Sequence, residues 1–268
     1  MLRLGWFSTG RGAGSRGFLN LVQSQIVGGH LDAAIEFVFS NREPGEAKGS
    51  DQFFELVARY GFPLVTLSSR RFRREHGGGS MSAHRTAFHE EALRLTSRFA
   101  PDLCVLAGYM LIISPEMCRR YVTINLHPAL PGGPAGTWQE VIWKLIEQRA
   151  AESGVMVHAA TEVVDEGPVL TYCSFPIQGG AFATLWEDAA GRSMHELKAE
   201  GEDQKLFKAI RQEGLRREGP LLMNTLKELA TGRIKVSAGR VLETGGAPAA
   251  GICLNDSVEL FLRGQAAR

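Results

Sequence analysis

Two hydrophobic periods alternate along the chain. Short runs of apolar and β-branched residues, typical of buried strands, are separated by longer segments in which apolar residues return every three or four positions, as on a helix. A strand–helix–strand order with short loops is typical of right-handed crossovers between parallel strands. The pattern therefore predicts an α/β fold, with a mainly parallel twisted sheet and helices on both faces. The predicted strands are LRLGWFS, AAIEFVFSN, FPLVTL, LCVLAGY and YVTINLH, followed by Ser153–Thr161 and Gly167–Ile177.

Glycine and proline punctuate the helical segments. Between them, RRFRREHGGGS is predicted to be a polar, mobile loop, and residues 181–202 an irregular polar segment. After Ile234 the short apolar runs IKVS, RVLET, ICLN and VELFL indicate strands. We therefore expect a main domain over residues 1–235 and a small C-terminal β extension over residues 236–268. The predicted helices are FLNLVQSQIVGG, Ser50–Tyr60, Ser82–Phe99, a short helix begun by Ser114 and Pro115, Trp138–Arg149, and Gln204–Gly232 with Gly214 and Gly219–Pro220 as candidate breaks.

The composition is that of an ordinary globular protein. Among 268 residues, 44% are hydrophobic and 22% charged, and the formal net charge is +1. There is no basic excess for binding nucleic acid or an anionic membrane, and no apolar run approaches the roughly 20 residues of a membrane span. No CxxC spacing and no zincin-type histidine pair occurs, so we expect free thiols in the cytoplasm and no metal site. The expected partners are small molecules, and the expected oligomeric state is a monomer or homodimer.

A glycine-rich turn, TGRGAGSRG, joins the first predicted strand to the first predicted helix. Glycines let the backbone approach an anion, and the helix N-terminus behind them offers N–H groups and a positive dipole. A dinucleotide site would need an acidic residue at a strand end about 20 positions on, and neither Asp32 nor Glu36 fits that position well. Phosphate binding is therefore favoured, with a plain flexible loop as the alternative. The predicted phosphate site consists of Gly12, Gly14, Ser15 and Arg16.

Candidate catalytic side chains follow two predicted strands. In a strand, Asn125 and His127 point to the same face, and proline ends the ladder directly after them. Asp165 lies in a turn after another strand. An amide and an imidazole can stabilise negative charge on a carbonyl oxygen, and a carboxylate can accept a proton from an attacking amine. Together the three suit attack of an amine on an acyl carbon, and purely structural roles are the alternative.

These motifs resemble the folate-dependent formyltransferases. That family's signature runs from an Asn-x-His-Pro strand end to an Asp-x-Gly-Pro turn, with a histidine seven residues before the aspartate. This sequence has INLHP at 124–128, DEGP at 165–168 and His158 in that register. The resemblance covers residues 2–180, more weakly to 236, and implies a Rossmann-like formyltransferase fold. The stretches that carry it are AIEFVFSNRE, APDLCVLAGYMLIISPEM, INLHPALP and SGVMVHAATEVVDEGPVL.

The resemblance also implies a role for each catalytic candidate. Asn125 and His127 would stabilise the oxyanion formed when an amine attacks the formyl group of the co-substrate 10-formyltetrahydrofolate. Asp165 would keep His127 protonated and relay the proton away. No metal takes part in this chemistry.

Binding residues follow from the same resemblance. Arg85 matches a family arginine that meets the carboxylate tail of folate, and Glu213 or Glu218 would meet the amine of the acceptor. The departures from the family lie mostly on the acceptor side, where Arg16 replaces an asparagine and HPALPGGPAGTWQ lacks a histidine. On the donor side, relatives often carry arginine at position 111. The residues implied for the pterin slot are Met110, Leu111, Ile113, Thr161, Val163 and Val164.

Several functions compete at this point. The leading one is formyl transfer to a phosphorylated amine, with glycinamide ribonucleotide of purine biosynthesis as the first acceptor. The altered loop after His127 keeps open another amine, such as an amino-sugar nucleotide. Water in place of the amine would give a 10-formyltetrahydrofolate hydrolase. A non-catalytic nucleotide-binding module is a fourth possibility, and a dehydrogenase ranks below all of these because the glycine loop lacks an acidic partner.

Overall fold

The computed structural model of the chain describes residues 1–163, 165–237, 240–244, 246 and 250–266. The chain divides into two compact units, each assembled from more than one stretch. The first unit comprises Met1–Asn125, Ala159–Pro168 and Leu226–Pro248, and the second comprises Leu126–His158, Val169–Thr225 and Ala249–Arg268. Within the described ranges, no helix combines the length and apolar character needed to cross a membrane.

The first unit alternates strands and helices, as the hydrophobic periods predict. Its elements in chain order are β1 (Leu2–Phe7), α1 (Ala13–Val27), β2 (Ala33–Ser40), α2 (Lys48–Arg59), β3 (Leu64–Thr66), α3 (Ser69–Glu75), α4 (Arg85–Thr96), β4 (Leu103–Leu106), α5 (Pro115–Arg120) and β5 (Thr123–His127), with the unit boundary inside β5. The strands lie in the order β5-β4-β1-β2-β3, and each neighbouring pair is parallel. The predicted α/β fold with a mainly parallel sheet is confirmed.

The second unit combines an antiparallel pair with several helices. The elements after β5 are α6 (Trp138–Glu147), β6 (Glu152–Ala159), β7 (Val169–Pro176), α7 (Ala183–Ala189), α8 (Met194–Ala199), α9 (Lys205–Ala230), β8 (Ile234–Ser237), β9 (Arg240–Glu243), β10 (Ile252–Cys253) and α10 (Asn255–Ala266). Of these, β8, β9 and the last turn of α9 belong to the first unit. Strands β6 and β7 pair antiparallel, and β10 pairs parallel with β7. Short 3₁₀ turns at Gly180–Phe182 and Gly201–Asp203 flank α7 and α8.

Buried aromatic rings form the centre of the first unit. The ring of Phe7 lies 5.1 Å from that of Phe39, 5.7 Å from Phe37 and 5.8 Å from Tyr109, measured between centroids. All four side chains are buried. Burying a side chain of this size contributes about 2 kcal/mol relative to leaving it exposed. These contacts fix the strand ends of β1, β2 and β4, which is where the polar loops of the first unit begin.

The prediction of a polar loop over residues 70–80 was wrong for its first half, because Ser69–Glu75 forms α3. The Ser68 hydroxyl accepts a hydrogen bond from the backbone N–H of Arg71, which caps the helix. Phe72 is buried and meets the ring of Phe88 edge to face at 5.4 Å. One cap and one apolar anchor suffice for a helix of two turns, although its composition is almost entirely polar.

The C-terminal expectations were partly wrong. The strands IKVS, RVLET and ICLN are present as β8, β9 and β10, but VELFL lies in the helix α10. Val258 is buried in the first turn of that helix, and its N–H donates to the carbonyl of Leu254, the buried residue just before the helix, at 2.9 Å. The candidate breaks at Gly214 and Gly219–Pro220 do not interrupt α9, which buries Leu221 and Leu222 directly after the proline. The division at residue 235 stays a prediction.

Candidate active site

Strand β5 places Asn125 and His127 two positions apart, so that their side chains leave the same face of the strand. Asn125 is half-buried, whereas His127 is buried, with 4% of its surface exposed. The Nε2 atom of His127 lies 3.2 Å from the carbonyl oxygen of Pro134. Because a carbonyl oxygen only accepts, Nε2 carries a proton in this contact. The amide and the imidazole therefore have the positions along the strand that the sequence predicts.

A second histidine lies beside His127 in the second unit. The ring centroids of His127 and His158 are 6.2 Å apart, and the two rings are nearly perpendicular, at 83°. His158 is on β6, opposite Val169, and is 98% buried. His158 is therefore a buried histidine of the second unit that packs close to the ring of His127.

The loop that carries Asp165 has a constrained backbone in the first unit. Asp165 has φ of 57°, in the left-handed region that few non-glycine residues adopt. A hydrogen bond from the Ala159 N–H to the Pro168 carbonyl, at 2.9 Å, closes the loop. The Ala160 N–H donates to the carbonyl of Thr123 at 2.8 Å, which ties the loop to β5. Asp165 is therefore held on a turn next to β5, the strand that carries Asn125.

The predicted pterin residues differ in exposure. Met110 is 64% exposed and Val163 54%, so both are available to a ligand. Leu111 is half-buried, and Ile113 is buried in the hydrophobic core of the first unit, where it supports the segment rather than lining its surface. The hydroxyl of Thr161 donates to the Val163 carbonyl at 3.0 Å and orders the start of the Asp165 loop. Val164 lies outside the described residues, and Arg85 is the half-buried first residue of α4.

The predicted phosphate residues occupy the start of α1. Gly12 precedes the helix, and Gly14, Ser15 and Arg16 lie in its first turn. No side chain caps this helix, so its first backbone N–H groups can serve an anion. The Arg16 guanidinium donates to the Gly49 carbonyl at 3.3 Å and is half-buried. These positions fit a phosphate site, whose occupancy stays a prediction.

Glu213, predicted to meet the acceptor's amine, is held by two arginines of α9. Its carboxylate oxygens lie 2.8 Å from Arg216 and 2.6 Å from Arg217. Burial favours the neutral acid, but hydrogen bonds from Arg217 and Arg216 outweigh it and lower the pKa of Glu213 below its ordinary value. The alternative, Glu218, is paired with Arg211. The pairing of both carboxylates speaks against a contact with substrate, and the assignment stays a prediction.

Sequence reasoning missed a cluster of arginines in the first unit. Arg11, Arg42, Arg70 and Arg73 line a cavity of about 230 Å³. They come from the loop after β1, the end of β2 and the helix α3, which are separate segments of the chain. In the sequence, the only signal for this cluster was Arg42, which follows the second predicted strand. Arg70 and Arg73 lay in the segment predicted to be a mobile loop. Among the described residues, no group of side chains suited to hold a metal ion occurs.

Comparison with known proteins gives the same picture. Residues 13–192 match the formyl transferase family. A phosphoribosylglycinamide formyltransferase from Schizosaccharomyces pombe is 30% identical over 176 residues, which cover 63% of this chain and 80% of that protein.

Two solved structures share the fold. A phosphoribosylglycinamide formyltransferase from Coxiella burnetii has a TM-score of 0.66 and 21% identity, covering 94% of this chain and 98% of that one. A formyltetrahydrofolate deformylase from Pseudomonas syringae has a TM-score of 0.63 and 18% identity, covering 90% of this chain and 65% of that one. The family match spans more than half of the chain and includes the strand end at Asn125 and the turn at Asp165, so this chain belongs to the formyl transferase family and is an enzyme of that kind.

Proposed function

We propose that this enzyme transfers the formyl group of 10-formyltetrahydrofolate to the primary amine of a phosphorylated acceptor, glycinamide ribonucleotide, in purine biosynthesis. The observation that carries the proposal is the Asn125-x-His127 pair at the end of β5, followed in the first unit by the constrained turn at Asp165. Its residue types match the needs of acyl transfer to an amine. The activity printed for the relative from Schizosaccharomyces pombe supports the same acceptor.

In the proposed reaction, the lone pair of the acceptor's amine attacks the formyl carbon, and the carbonyl electrons move to oxygen. The Asn125 amide N–H and the protonated His127 imidazole stabilise this oxyanion. Asp165 accepts the proton that the amine loses, directly or through a water. When the carbonyl re-forms, the bond to the folate nitrogen breaks, and that nitrogen takes up a proton to give tetrahydrofolate. No step needs a nucleophilic side chain or a metal.

The first unit has the spacing that such an acceptor requires. Asn125 lies opposite Leu106, and Leu106 lies opposite Phe7. Two strand spacings, roughly 10 Å, therefore separate the carboxyl ends of β5 and β1. A phosphate bound at the start of α1, after the loop that follows β1, leaves that distance to be spanned by a sugar with an amine-bearing arm. Met110 and Val163, both exposed, are available to the pterin of the donor.

Turnover with and without acceptor tests this proposal. We expect purified enzyme to form tetrahydrofolate from 10-formyltetrahydrofolate only when glycinamide ribonucleotide is present, as followed by absorbance. Asp165→Asn removes the proton acceptor and should lower kcat about 100-fold or more. Asn125→Ala removes an oxyanion donor and should cost roughly 100- to 1000-fold. Both variants should still bind folate.

Three results would contradict the proposal. Acceptor-independent turnover would identify a hydrolase, and turnover only with a different amine would transfer the proposal to that acceptor. Full activity of both variants would exclude Asn125 and Asp165 from the chemistry. Glu187→Gln, an exposed change on α7, serves as the matched control.

We infer that the enzyme works in the cytoplasm. All four cysteines are free thiols, and Cys104 and Cys173 are buried. Burial raises the pKa of the Cys173 thiol to about 12, and it raises the pKa of Cys104 further still, so both stay protonated and unreactive. Free thiols of this kind are typical of a reducing compartment.

A further inference from the structure

The arginine cavity of the first unit adjoins the residues implied for the pterin slot, because Met110 and Leu111 are part of its lining, but its four arginines have no role in the proposed reaction. It is lined by Arg11, Arg42, Arg70 and Arg73, and its lining contains no carboxylate. None of the four residues predicted to bind the acceptor's phosphate, at the start of α1, belongs to this lining. Four positive charges around about 230 Å³ repel one another unless an anion lies among them. The charge of this lining favours a negatively charged ligand, separate from a phosphate at the start of α1.

Arg42 shows the lack of compensation most clearly. Its side chain is 12% exposed, and its Nε and Nη1 atoms are buried without a hydrogen bond. The nearest carboxylate oxygen, from Glu46, is 3.9 Å from Nη1, which is too far for a hydrogen bond. Burial, followed by the charge of Arg70, lowers the pKa of Arg42 below its ordinary value. A largely buried cation without a close partner is costly, and an anion in the cavity would offset that cost.

The helix α3 separates its arginines into two sets. Arg71 lies 2.7 Å from Glu43 and is also paired with Glu75. Arg70 and Arg73, three positions apart and so on one face, line the cavity and are exposed. Within the described part of the chain, no carboxylate lies within 4.0 Å of either guanidinium. The carboxylates near α3 thus pair with Arg71, whereas the arginines on the face towards the cavity have no carboxylate partner among the described residues.

A hydrogen-bonded polar floor already connects the elements around the cavity. The Thr9 hydroxyl donates to the Asn41 amide oxygen at 2.8 Å, and the Asn41 amide nitrogen donates to the Ser69 hydroxyl at 3.2 Å. The Met110 N–H donates to the Thr9 hydroxyl at 3.0 Å. All three polar side chains are buried. The arginines therefore lie around buried polar side chains that are already hydrogen-bonded to one another.

We propose that the arginine cavity binds a diphosphate, that is, two linked phosphate groups of a small molecule. Arg42 already faces Glu46 at 3.9 Å, which leaves the charges of Arg11, Arg70 and Arg73 to be balanced. A single phosphate dianion would balance two of these three charges, whereas a diphosphate can balance all of them. A cavity of about 230 Å³ has room for two linked phosphate groups. Guanidinium groups match phosphate oxygens through paired hydrogen bonds. The diphosphate belongs either to a separate ligand or, where the acceptor is not glycinamide ribonucleotide, to a nucleotide-like acceptor; only the second case conflicts with the proposed function.

Binding of inorganic pyrophosphate tests the proposal without any turnover, so an inactive enzyme would leave it intact. Calorimetry at constant ionic strength should show pyrophosphate binding at least tenfold tighter than inorganic phosphate. The double variant Arg70→Gln/Arg73→Gln should weaken pyrophosphate binding roughly 10- to 100-fold, since each charged hydrogen-bonding partner is worth about tenfold. Arg74→Gln, on the same helix but outside the lining, is the matched control and should bind as the unaltered protein does.

Three results would overturn it. Equal affinity for phosphate and pyrophosphate would remove the diphosphate preference. A loss in Arg74→Gln as large as in the double variant would show an unspecific effect of charge. Tighter binding of tetraglutamate than of pyrophosphate, lost in the double variant, would assign the cavity to a chain of carboxylates instead.

Steady-state inhibition then distinguishes the two sources of the diphosphate. Pyrophosphate that competes with the acceptor, in the unaltered protein and not in the double variant, places the diphosphate on the acceptor. Inhibition or activation that is not competitive with the acceptor places it on a separate ligand. Either result supports the site and identifies the molecule that carries the diphosphate.

Discussion

Gly167 determines the shape of the loop that carries Asp165. A Cβ atom at Gly167 would lie 1.7 Å from the Ala159 carbonyl oxygen, far inside van der Waals contact. That carbonyl belongs to the backbone that closes the loop, so it cannot move without shifting Pro168 and the turn between them. Any residue other than glycine must therefore displace Asp165, whose own φ of 57° leaves little freedom. The Asp-x-Gly-Pro motif thus has a steric basis as well as a chemical one.

Gly167→Ala should separate position from chemistry at this turn, because Asp165 itself is unchanged. We expect a loss of about 1–3 kcal/mol in the free energy of unfolding from the forced contact. Turnover should fall about 100-fold, because a shift of about 1 Å in a catalytic group has an effect of that order. Urea denaturation and formyl-transfer kinetics measure the two effects. Gly264→Ala, where nothing lies within 4 Å of the added Cβ, is the control; normal kcat in Gly167→Ala would refute the argument.

At the scale of elements, α3 depends on very few interactions. It has seven residues, and five of them are charged. Isolated helices of this length are unstable in water, so tertiary contacts must hold it. The two that stand out are the Ser68 cap and the burial of Phe72 against Phe88. Since Arg70 and Arg73 of α3 line the cavity, these two contacts also hold both arginines in place there.

Ser68→Ala removes the cap and leaves the Arg71 N–H without its side-chain acceptor. We expect the free energy of unfolding to fall by about 1 kcal/mol, the usual cost of losing an N-cap. Pyrophosphate binding should weaken as well, because the arginines of a frayed helix are less well placed. Urea denaturation and calorimetry test both effects. Ser257→Ala, an exposed serine inside α10, should change neither, and unaltered stability in Ser68→Ala would show that the cap is dispensable.

The elements also show where sequence reasoning succeeds. Buried parallel strands are continuous apolar runs, so β1 and β2 could be placed from the sequence within one residue, and β4 begins where predicted but ends three residues earlier. Helix α3 could not, because its stability comes from one capping serine and one phenylalanine that finds its partner in α4. The run VELFL fits a strand and a helix equally well by local propensity. Its packing selects the helix: Val258 is buried whereas Leu260, which would share its face in a strand, is 72% exposed.

The same distinction holds for the site at the scale of the whole molecule. Asn125 and His127 are two residues apart in one strand, so their common face follows from local geometry. The left-handed turn at Asp165 depends on Gly167 and on hydrogen bonds to distant carbonyls, which no local pattern gives. The arginine cavity depends on three segments brought together by the order of strands β1 and β2 and by α3. A charge count near zero for the whole chain conceals it.

The stability of the chain should depend on pH through His89, which is 99% buried on α4. Its Nδ1 lies 2.8 Å from the Arg85 carbonyl, and its Nε2 lies 3.2 Å from the Tyr109 hydroxyl. Burial lowers the pKa of His89 from 6.5 to about 4, against the raising effect of the Arg85 carbonyl. Between these two values the unfolded chain binds a proton that the folded chain does not. Unfolding is therefore favoured as the pH falls from 6.5 to 4, and this contribution is fully present above 6.5.

The expected size is about 1.4 kcal/mol per pH unit, or roughly 3 kcal/mol over the whole range. Urea denaturation of the unaltered protein at pH 7, 5.5 and 4.5 measures it. His89→Gln keeps a polar side chain that does not titrate, so its unfolding free energy should fall less steeply over the same range, whatever its value at pH 7. His195→Gln, an exposed histidine on α8, should retain the slope of the unaltered protein. If His89→Gln keeps that slope too, the pH dependence arises from the carboxylates and His89 titrates normally.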